Sequence, residues 1–493
     1  MLSLKHLNIK SFNENLAYIN KNCSEYSIDD ISSLSQVEIQ TETSKIYAFL
    51  QVVEDDSLVS ATEIALNDEA FADLGESEGA QISISLAAPA PSRAALKRKI
   101  AGNILSPQDY KFIIKDIINH RYSDIDIASF IVAGGTFISA NEVWGLTDAL
   151  VNNNKINWTF ENIVVDHHCL GGIPGNKTDI IIAAIVGAYG LAIPKTVAKA
   201  TTSCASVADT MGVLCNVNLT QDRFVELVQN NRAVIANYEP LDIVDAVKSI
   251  SNVERHLGLT QQEFLLTSVL AIKIAAGVTH LLIDIPVGEK SRIKTTYEAI
   301  RLRKLAEFVG DRSGVHIEVV ITDGSEPIGN GIGAVLEARD VVQVLKNKPT
   351  APQDLLEKSL FLAGRILEFD PKLRGGQGYN TAAEILRSGQ ALEKLNEMIK
   401  VQGKKEQPVM GSFKRDVLAP ESGEIKEIDN MQINRIGIWA GVRQYSGVGI
   451  DLLKKVGDTV EAGEPLYRIY ANTPDDLNLA ESVVETSNGY IIK

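Results

Sequence analysis

The sequence predicts a multidomain α/β protein with a β-rich N-terminal domain, a small helical domain, a large α/β domain with mostly parallel strands, and a C-terminal domain of short strands. Three observations predict it. Apolar and polar residues alternate with a period of two before Leu86, and helical periodicity with capping signals begins at Ser92. From Asn162 onward, short β-branched runs are separated by segments of helix length, which is typical of a parallel sheet. The 493 residues are enough for about three domains with a large core.

The charge and composition of the chain exclude several kinds of partner. The 63 acidic residues outnumber the 48 lysines and arginines, which gives a net charge of −15, whereas nucleic acids and anionic membranes bind positive surfaces. We therefore expect a small-molecule substrate, with neither nucleic acid nor membrane as a partner. No apolar run is long enough to cross a bilayer and the N-terminus lacks a signal-peptide pattern, so a cytoplasmic location is expected. The four cysteines lack metal-binding spacing, which predicts free thiols and no metal site.

The first two domains are predicted from the change in periodicity. Residues 1–86 form the predicted β-rich domain, and the proline-containing segment 87–91 is a stiff linker. Residues 92–158 form the predicted helical domain. A later helical block, residues 221–249, is assigned to the same domain.

Helix signals in the second domain are strong at its start. Ser106 is a suitable N-cap, Pro107 suits the first helical position, and Asp109 places an acid in the first turn, so a helix is predicted from there to Ile118. Two further helices are predicted over residues 124–132 and 139–151.

The predicted α/β domain comprises residues 159–220 and 250–402. Its strand signals are four short β-branched runs: Asn162–Asp166, Leu191–Pro194, His280–Pro286 and His316–Thr322. Ligands of parallel sheets bind at the carboxyl ends of the strands. His168 follows the first predicted strand, so a functional role is favoured for it over a capping hydrogen bond to a loop carbonyl.

A glycine-rich turn from Gly171 to Gly175 separates the first of these strands from the apolar run that begins at Ile180. The segment is predicted to be strand, tight loop and helix. Backbone N–H groups and the helix N-terminus would then favour an anion, of which phosphate is the obvious candidate. The loop matches neither GxxxxGK[ST] nor GxGxxG, and for the loop alone plain turn chemistry is the more common explanation.

Residues 410–493 form the fourth predicted domain. The segments 417–425 and 454–469 contain short strands broken by glycine turns, and they resemble the biotinyl/lipoyl-like barrel-sandwich fold. No lysine lies in the Met-Lys-Met hairpin of a carrier domain, so a structural cap is predicted.

With its segments in this order, the chain resembles the thymidine phosphorylase and AMP phosphorylase family, the second class of nucleoside phosphorylases. It is most similar to the long-form members that carry an extra N-terminal domain. The resemblance runs from Ser92 to Ala471 and is carried by motifs in family order: Arg121-Tyr-Ser-Asp-Ile, Gly172-Ile-Pro-Gly-Asn, Ile193-Pro-Lys-Thr, Ala208-Asp-Thr-Met, Leu282-Ile-Asp-Ile-Pro-Val-Gly, Glu318-Val-Val-Ile-Thr-Asp-Gly, Leu336-Glu-Ala-Arg-Asp and Gly457-Asp-Thr-Val.

The resemblance implies that inorganic phosphate cleaves the N-glycosidic bond of a nucleoside, giving a free base and a (deoxy)ribose 1-phosphate, with no cofactor. A pyrimidine nucleoside such as thymidine is the expected substrate, and a homodimer is the expected assembly. Two alternatives stay open. One is a nucleoside 5′-monophosphate substrate of the AMP type, and the other is a diverged member with an altered nucleophile or a non-catalytic nucleoside or nucleotide binder.

The resemblance also assigns candidate site residues. Phosphate would be bound by a loop and a second segment of the α/β domain: Gly171, Gly172, Lys199, Thr201, Thr202 and Ser203. The base or nucleotide would be held by Arg255, Ser268 and Arg292, and the catalytic residues would be His168, Arg255 and Ser268. This set suits the chemistry, because a leaving base that gains negative charge is stabilised by an arginine, a hydroxyl and a proton donor.

Several family positions are substituted in this chain. The family residue is a lysine at His167 and Ile272, a hydroxyl residue at Asp179, Val197 and Val207, an arginine at Lys199 and an aspartate at Thr260. A histidine near neutral pH carries less charge than a lysine, a valine donates no hydrogen bond, and an aspartate facing a phosphate dianion would repel it. These changes favour the diverged alternative, whereas the remaining amides, Lys199 and the hydroxyls of residues 201–203 favour phosphorolysis.

Overall fold

The structure is a computed structural model that describes residues 1–11, 14–26, 35–136, 138–151, 155–200, 203–258, 261–373 and 375–493. Its contacts divide the chain into two compact units. The first unit comprises residues 1–150 and 245–268, and the second comprises residues 151–244 and 269–493. Within the described ranges, no helix combines the length and the hydrophobicity that a membrane span requires.

The N-terminal strands of the first unit close into a barrel. The strands are β1 (Leu2–His6), β2 (Leu16–Asn20), β3 (Gln36–Gln40), β4 (Lys45–Val53), β5 (Glu63–Leu66) and β6 (Gln81–Leu86), and α1 (Asp68–Leu74) follows β5. Their order around the barrel is β1-β5-β2-β4-β3-β6. Alternate residues such as Val37 and Ile39 are fully buried in its core, as the period-two pattern predicts.

Four helices follow the barrel in the chain: α2 (Arg93–Ile100), α3 (Pro107–Ile118), α4 (Asp124–Thr136) and α5 (Ala140–Val151). The predicted start of α3 is confirmed. Ser106 accepts from the backbone N–H of Asp109, whose carboxylate accepts from the backbone N–H of Ser106, which is a complete capping box. The predicted bounds of α3, α4 and α5 lie within four residues of the observed bounds.

The second unit opens with parallel strands and the helices between them. These elements are β7 (Val165–Cys169), α6 (Thr178–Tyr189), β8 (Ile193–Val197), α7 (Val207–Gly212), α8 (Gln221–Asn231) and β9 (Ala233–Asn237). β8 and β9 pair in parallel, and a parallel bridge joins Val164 to Ala192. Residues 180–187 of α6 are all buried, so this helix lies in the middle of the core.

The chain then passes through a short 3-10 turn (Glu239–Leu241) and the helices α9 (Asp245–Leu257) and α10 (Gln262–Ala275). The block predicted to be helical over residues 221–249 is therefore interrupted. β9 lies within it, because Val234 and Ile235 are fully buried in the parallel pairing with β8. Of the block, α8 belongs to the second unit and α9 to the first.

The remainder of the α/β part adds two long parallel strands and a layer of helices: β10 (His280–Val287), α11 (Thr296–Ser313), β11 (His316–Asp323), β12 (Gly331–Ile332), α12 (Ala334–Leu345), α13 (Gln353–Leu367), α14 (Gln377–Arg387) and α15 (Gln390–Gln402). The sheet order β11-β10-β7 is parallel throughout. The mostly parallel sheet expected from the sequence is thus present, with α13 and α15 packed on α6.

The C-terminal part consists of β13 (Phe413–Leu418), β14 (Gly423–Ile428), α16 (Asn430–Trp439), β15 (Gly449–Leu452), β16 (Thr459–Val460), β17 (Pro465–Ala471), α17 (Pro474–Thr486) and β18 (Tyr490–Ile492). Its strands form two sheets, and β12 of the α/β part joins the edge of the first. The strand orders are β12-β15-β17-β13 and β16-β14-β18. Ile425, Ile433, Ile450 and Ile469 are completely buried in one apolar cluster contributed by both sheets and α16.

Two strands begin and end later in the chain than the sequence predicts. The second is predicted over residues 191–194, but β8 runs from Ile193 to Val197. The first parallel strand is predicted over residues 162–166, but β7 runs from Val165 to Cys169 and therefore contains both histidines. The shift follows from pairing with β10, in which His167 lies opposite Leu282 and His168 opposite Ile283. The two histidine side chains consequently point to opposite faces of the sheet.

Candidate functional site

The glycine loop between β7 and α6 lies at the carboxyl edge of the parallel sheet. Gly172 has a φ of +76°, a conformation that glycine adopts without strain. Its carbonyl accepts from the N–H groups of Gly175 and Asn176, each at 2.9 Å, which closes a tight turn. Gly171 is needed for a different reason, since a Cβ there would lie 2.5 Å from Cγ of Pro286, at the end of β10. The loop is therefore fixed by close backbone packing on the strand ends.

Gly171→Ala is expected to destabilise the second unit by about 1–3 kcal/mol, because the added methyl overlaps the Pro286 ring and the loop must shift. Hydrogen exchange of the amides of the loop and the first turn of α6 would measure the change. Gly212→Ala is a matched control, because a Cβ at Gly212 meets only Val217, at 3.8 Å. Equal exchange rates in both variants would contradict the packing argument.

A group of five charged or titratable side chains, here called the buried charge cluster, lies in the interior of the second unit: Asp166, His167, Asp179, Lys195 and Lys273. Each is at most 4% exposed. They come from β7, α6, β8 and α10, so four elements contribute to it. Buried charges are stable only when they are paired and hydrogen-bonded.

The pairing within the buried charge cluster is nearly complete. Nζ of Lys195 lies 2.9 Å from the carboxylate of Asp179 and 3.5 Å from that of Asp166, and it also donates to the carbonyl of His167. Nζ of Lys273 lies 2.5 Å from the other oxygen of Asp166. Nδ1 of His167 hydrogen-bonds to Asp179, and the backbone N–H of His167 donates to Asp166 at 2.7 Å. Asp166 thus contacts both buried lysines and a backbone N–H of its own strand.

The pKa values in the cluster follow from burial and these partners. Burial would raise the pKa of Asp179, but the Lys195 ammonium and the His167 imidazole outweigh it and hold that pKa below its usual range. Burial would lower the pKa of Lys195, but Asp166 and Asp179 outweigh it and raise the value. Burial lowers the pKa of Lys273 to about 8, although Asp166 opposes the change.

His168 is half-buried on β7 and has a different electrostatic environment from His167. Burial, with Lys273 and Lys195 as nearby positive charges, lowers the pKa of His168 well below its ordinary value. The imidazole is therefore neutral at pH 7. It can donate one hydrogen bond and accept another, but it does not supply a positive charge.

The structure brings one residue of the second predicted phosphate segment against the glycine loop. A Cβ built on Gly172 would lie 3.3 Å from Oγ of Ser203. Lys199 is exposed and forms no ion pair with any residue that the structure describes. Thr201 and Thr202 lie outside the described residues.

The two substituted valines lie in apolar surroundings. Val197 and Val207 are 8% and 6% exposed and belong to the apolar cluster around α6. A serine or threonine at these positions would need a hydrogen-bond partner or a ligand, whereas valine needs neither. They contribute packing, and they supply no donor to an anion.

The residues assigned to the base fall in both units. Arg292 is half-buried in the second unit, in the segment after β10, where burial lowers its pKa and the nearby Cys169 thiol opposes this change. In the first unit, Arg255 is exposed in the last turn of α9, and Ser268 is 7% exposed in α10. Thr260 lies outside the described residues.

Sequence reasoning gave no role to Lys195 and did not predict its ion pairs. A signal was present in the sequence, because Lys195 stands in the largely apolar run from Leu191 to Val197. Lys273 likewise lies in a helix with an apolar sequence. A lysine in an otherwise apolar buried segment indicates an internal carboxylate partner.

Known proteins are similar to this chain over its whole length. A family model described as "Pyrimidine nucleoside phosphorylase C-terminal domain" matches residues 424–490, and one described as "Glycosyl transferase family, helical bundle domain" matches residues 93–153. Several relatives share the name "Putative thymidine phosphorylase". The one from Albidiferax ferrireducens is 42% identical, covering 100% of this chain and 95% of its own length. The one from Methylococcus capsulatus is 43% identical, covering 100% of this chain and 96% of its own length.

A solved structure shares the fold. Anthranilate phosphoribosyltransferase from Thermus thermophilus matches with a TM-score of 0.53 and 17% sequence identity, over 62% of this chain and 99% of that one. At this identity the likeness concerns the fold alone.

Proposed function

Because the chain belongs to the thymidine phosphorylase family, we propose that it catalyses the phosphorolysis of a nucleoside. The C1′–N bond of the nucleoside breaks, a C1′–O bond to phosphate forms, and the products are a free base and a pentose 1-phosphate. The observation that carries the proposal is the sequence identity of 42% over the full chain to a relative named "Putative thymidine phosphorylase". A pyrimidine nucleoside such as thymidine is the substrate that this similarity favours.

The geometry of the second unit supports a phosphate site at the carboxyl edge of the sheet. In this proposal, phosphate lies against the backbone of Gly171 and Gly172 and the hydroxyl of Ser203, with Lys199 as the cation. Thr201 and Thr202 are proposed as further hydroxyl donors from the same segment. Close packing of Ser203 on Gly172 supports this assignment, since it joins two segments that are separated in the sequence.

The base is proposed to bind Arg255, Ser268 and Arg292, with His168 as a hydrogen-bond donor to the leaving base. Since His168 is neutral at pH 7, its contribution is a hydrogen bond that strengthens as the base gains negative charge. The arginines would supply the positive charge. No cofactor beyond phosphate is proposed.

We also propose the finer assignments that the resemblance implies. The two C-terminal sheets would correspond to a barrel-sandwich domain with a structural role, the assembly would be a homodimer, and the location would be cytoplasmic. The domain limits proposed from the sequence are 1–86, 92–158, 159–220 with 250–402, and 410–493. The block 221–249 is not added to the helical domain, because α8 belongs to the second unit.

A panel of nucleosides and nucleoside 5′-monophosphates tests the function. Chromatography would follow release of the base with and without inorganic phosphate, and would identify the sugar product. Thymidine is expected to give thymine and a pentose 1-phosphate only when phosphate is present. Base release from 5′-monophosphates alone would favour the AMP-type alternative.

A second candidate function is favoured by the environment of Asp179. Its buried carboxylate and the apolar packing of Val197 and Val207 remove groups that would attract or bind phosphate. The chain would then use another nucleophile or bind a nucleoside without turnover. Free pentose as the product would identify water as the nucleophile. Calorimetric binding of thymidine with no base release would identify a non-catalytic binder.

A further inference from the structure

Lys195 and His167, which lie near the start of α6, share the carboxylate of Asp179. Asp179 lies in the first turn of α6, where the helix dipole favours negative charge. The same carboxylate lies 2.9 Å from Nζ of Lys195 and accepts from Nδ1 of His167. A single acid therefore satisfies a helix terminus, an ammonium and an imidazole.

The other lysines of this region are also paired within the chain. Nζ of Lys177 donates to the carbonyl of Gly331 and lies 3.4 Å from the carboxylate of Asp340. Nζ of Lys273 is bound by Asp166 and by the carbonyl of Thr196, at 2.6 Å. An anion that entered the glycine loop would therefore meet positive groups whose charge is already balanced.

His167 provides an independent observation. Its side chain is completely buried, and Nε2 has no hydrogen-bond partner among the described residues. Buried ring nitrogens are normally hydrogen-bonded. The imidazole is thus held at Nδ1 by Asp179, while its buried Nε2 lacks a hydrogen-bond partner among the described residues.

We propose that the Asp179 carboxylate determines which nucleophile the glycine loop binds. It occupies the positive start of α6 and thereby weakens the binding of inorganic phosphate. The inference rests on the phosphate site of the proposed function. It extends that function by assigning the weak binding of phosphate to one residue, Asp179. Removing the charge at position 179 should leave Lys195 and His167 able to attract phosphate.

Asp179→Asn removes the negative charge and keeps the size of the side chain. Asp179→Thr also removes the charge, and it adds a hydroxyl that can donate a hydrogen bond to phosphate. Isothermal titration of the full chain with inorganic phosphate is expected to give a dissociation constant at least about tenfold lower in both variants than in the wild type. Glu142→Gln is the matched control, because it removes another buried carboxylate, which is paired with Lys99 in the first unit. Its dissociation constant should stay within about twofold of the wild type.

Circular dichroism establishes that each variant is folded. If the single variants unfold, the double variant His167→Lys with Asp179→Thr places a lysine beside a neutral residue. Its dissociation constant for phosphate is expected to be at least about tenfold lower than that of the wild type. Folded variants at position 179 with wild-type affinity, or with no phosphate binding, would overturn the inference, as would an equal gain in Glu142→Gln. The proposed function fails on a different result, namely no phosphate-dependent base release by the wild type.

Discussion

Lys195→Met is expected to lower the free energy of unfolding of the second unit by about 3–5 kcal/mol. The substitution keeps the apolar stem but leaves the carboxylates of Asp166 and Asp179, which are 0% and 4% exposed, without their shared ammonium. Breaking a buried ion pair by removing one partner is more destabilising than the pair itself is stabilising, because the remaining charge stays desolvated.

Native-state hydrogen exchange of the β7 and β8 amides would measure this effect, since the two units of the chain need not unfold in a single transition. Lys426→Met is the matched control. Lys426 forms an exposed ion pair with Glu424, with side-chain exposures of 46% and 47%, so its loss should change stability by less than about 1 kcal/mol. A change at Lys195 no larger than that at Lys426 would show that the cluster does not stabilise the fold.

During an acid titration, Lys195→Met should unfold at a higher pH than the wild type. The folded-state pKa of Asp179 lies below its unfolded value, so its ionised form contributes stability above about pH 4, which is lost as the pH falls toward the folded-state pKa. Lys195 is the strongest influence that lowers this pKa. Circular dichroism during an acid titration is therefore expected to show an earlier loss of structure in Lys195→Met than in the wild type.

The fold was predictable wherever local signals and tertiary packing agree. The capping residues at Ser106 and Asp109 fix the start of α3 locally, so the predicted and observed helices coincide. β9 was not predicted because Val234 and Ile235 lie in a segment of helical length, and only the pairing with β8 makes them a strand. The position of β7 likewise depends on its register with β10, which a single sequence does not contain.

The candidate site was predictable in outline only. The carboxyl-edge rule places the glycine loop correctly, and the family resemblance leads to Ser203 as its neighbour. The partners of Asp179 were not predictable, because they come from β7 and β8 and depend on how α6 packs. The sequence therefore suggests an unpaired acid that repels phosphate, whereas the structure shows an acid whose charge is balanced by Lys195 and His167.

His168→Ala is expected to reduce kcat/KM for phosphorolysis by about 10²–10⁴-fold, the range for loss of a group that stabilises the leaving base. Rates of base release at saturating phosphate would measure it. His316→Ala is the matched control, because His316 is an exposed histidine at the opposite, amino end of the same sheet, where β11 begins. Its variant should keep wild-type kcat/KM, and comparable losses in both variants would show that the effect is not specific to the carboxyl edge.

The pH dependence of this reaction distinguishes a neutral His168 from a cationic one. Because the pKa of His168 is lowered well below its ordinary value, the imidazole stays neutral throughout the range from about pH 6 to 8. The ratio of wild-type to His168→Gln activity should then be constant over this range, since glutamine is also a neutral donor and phosphate ionisation affects both enzymes equally. A ratio that falls as the pH rises through about 6.5 would instead require that the imidazolium form is the active one.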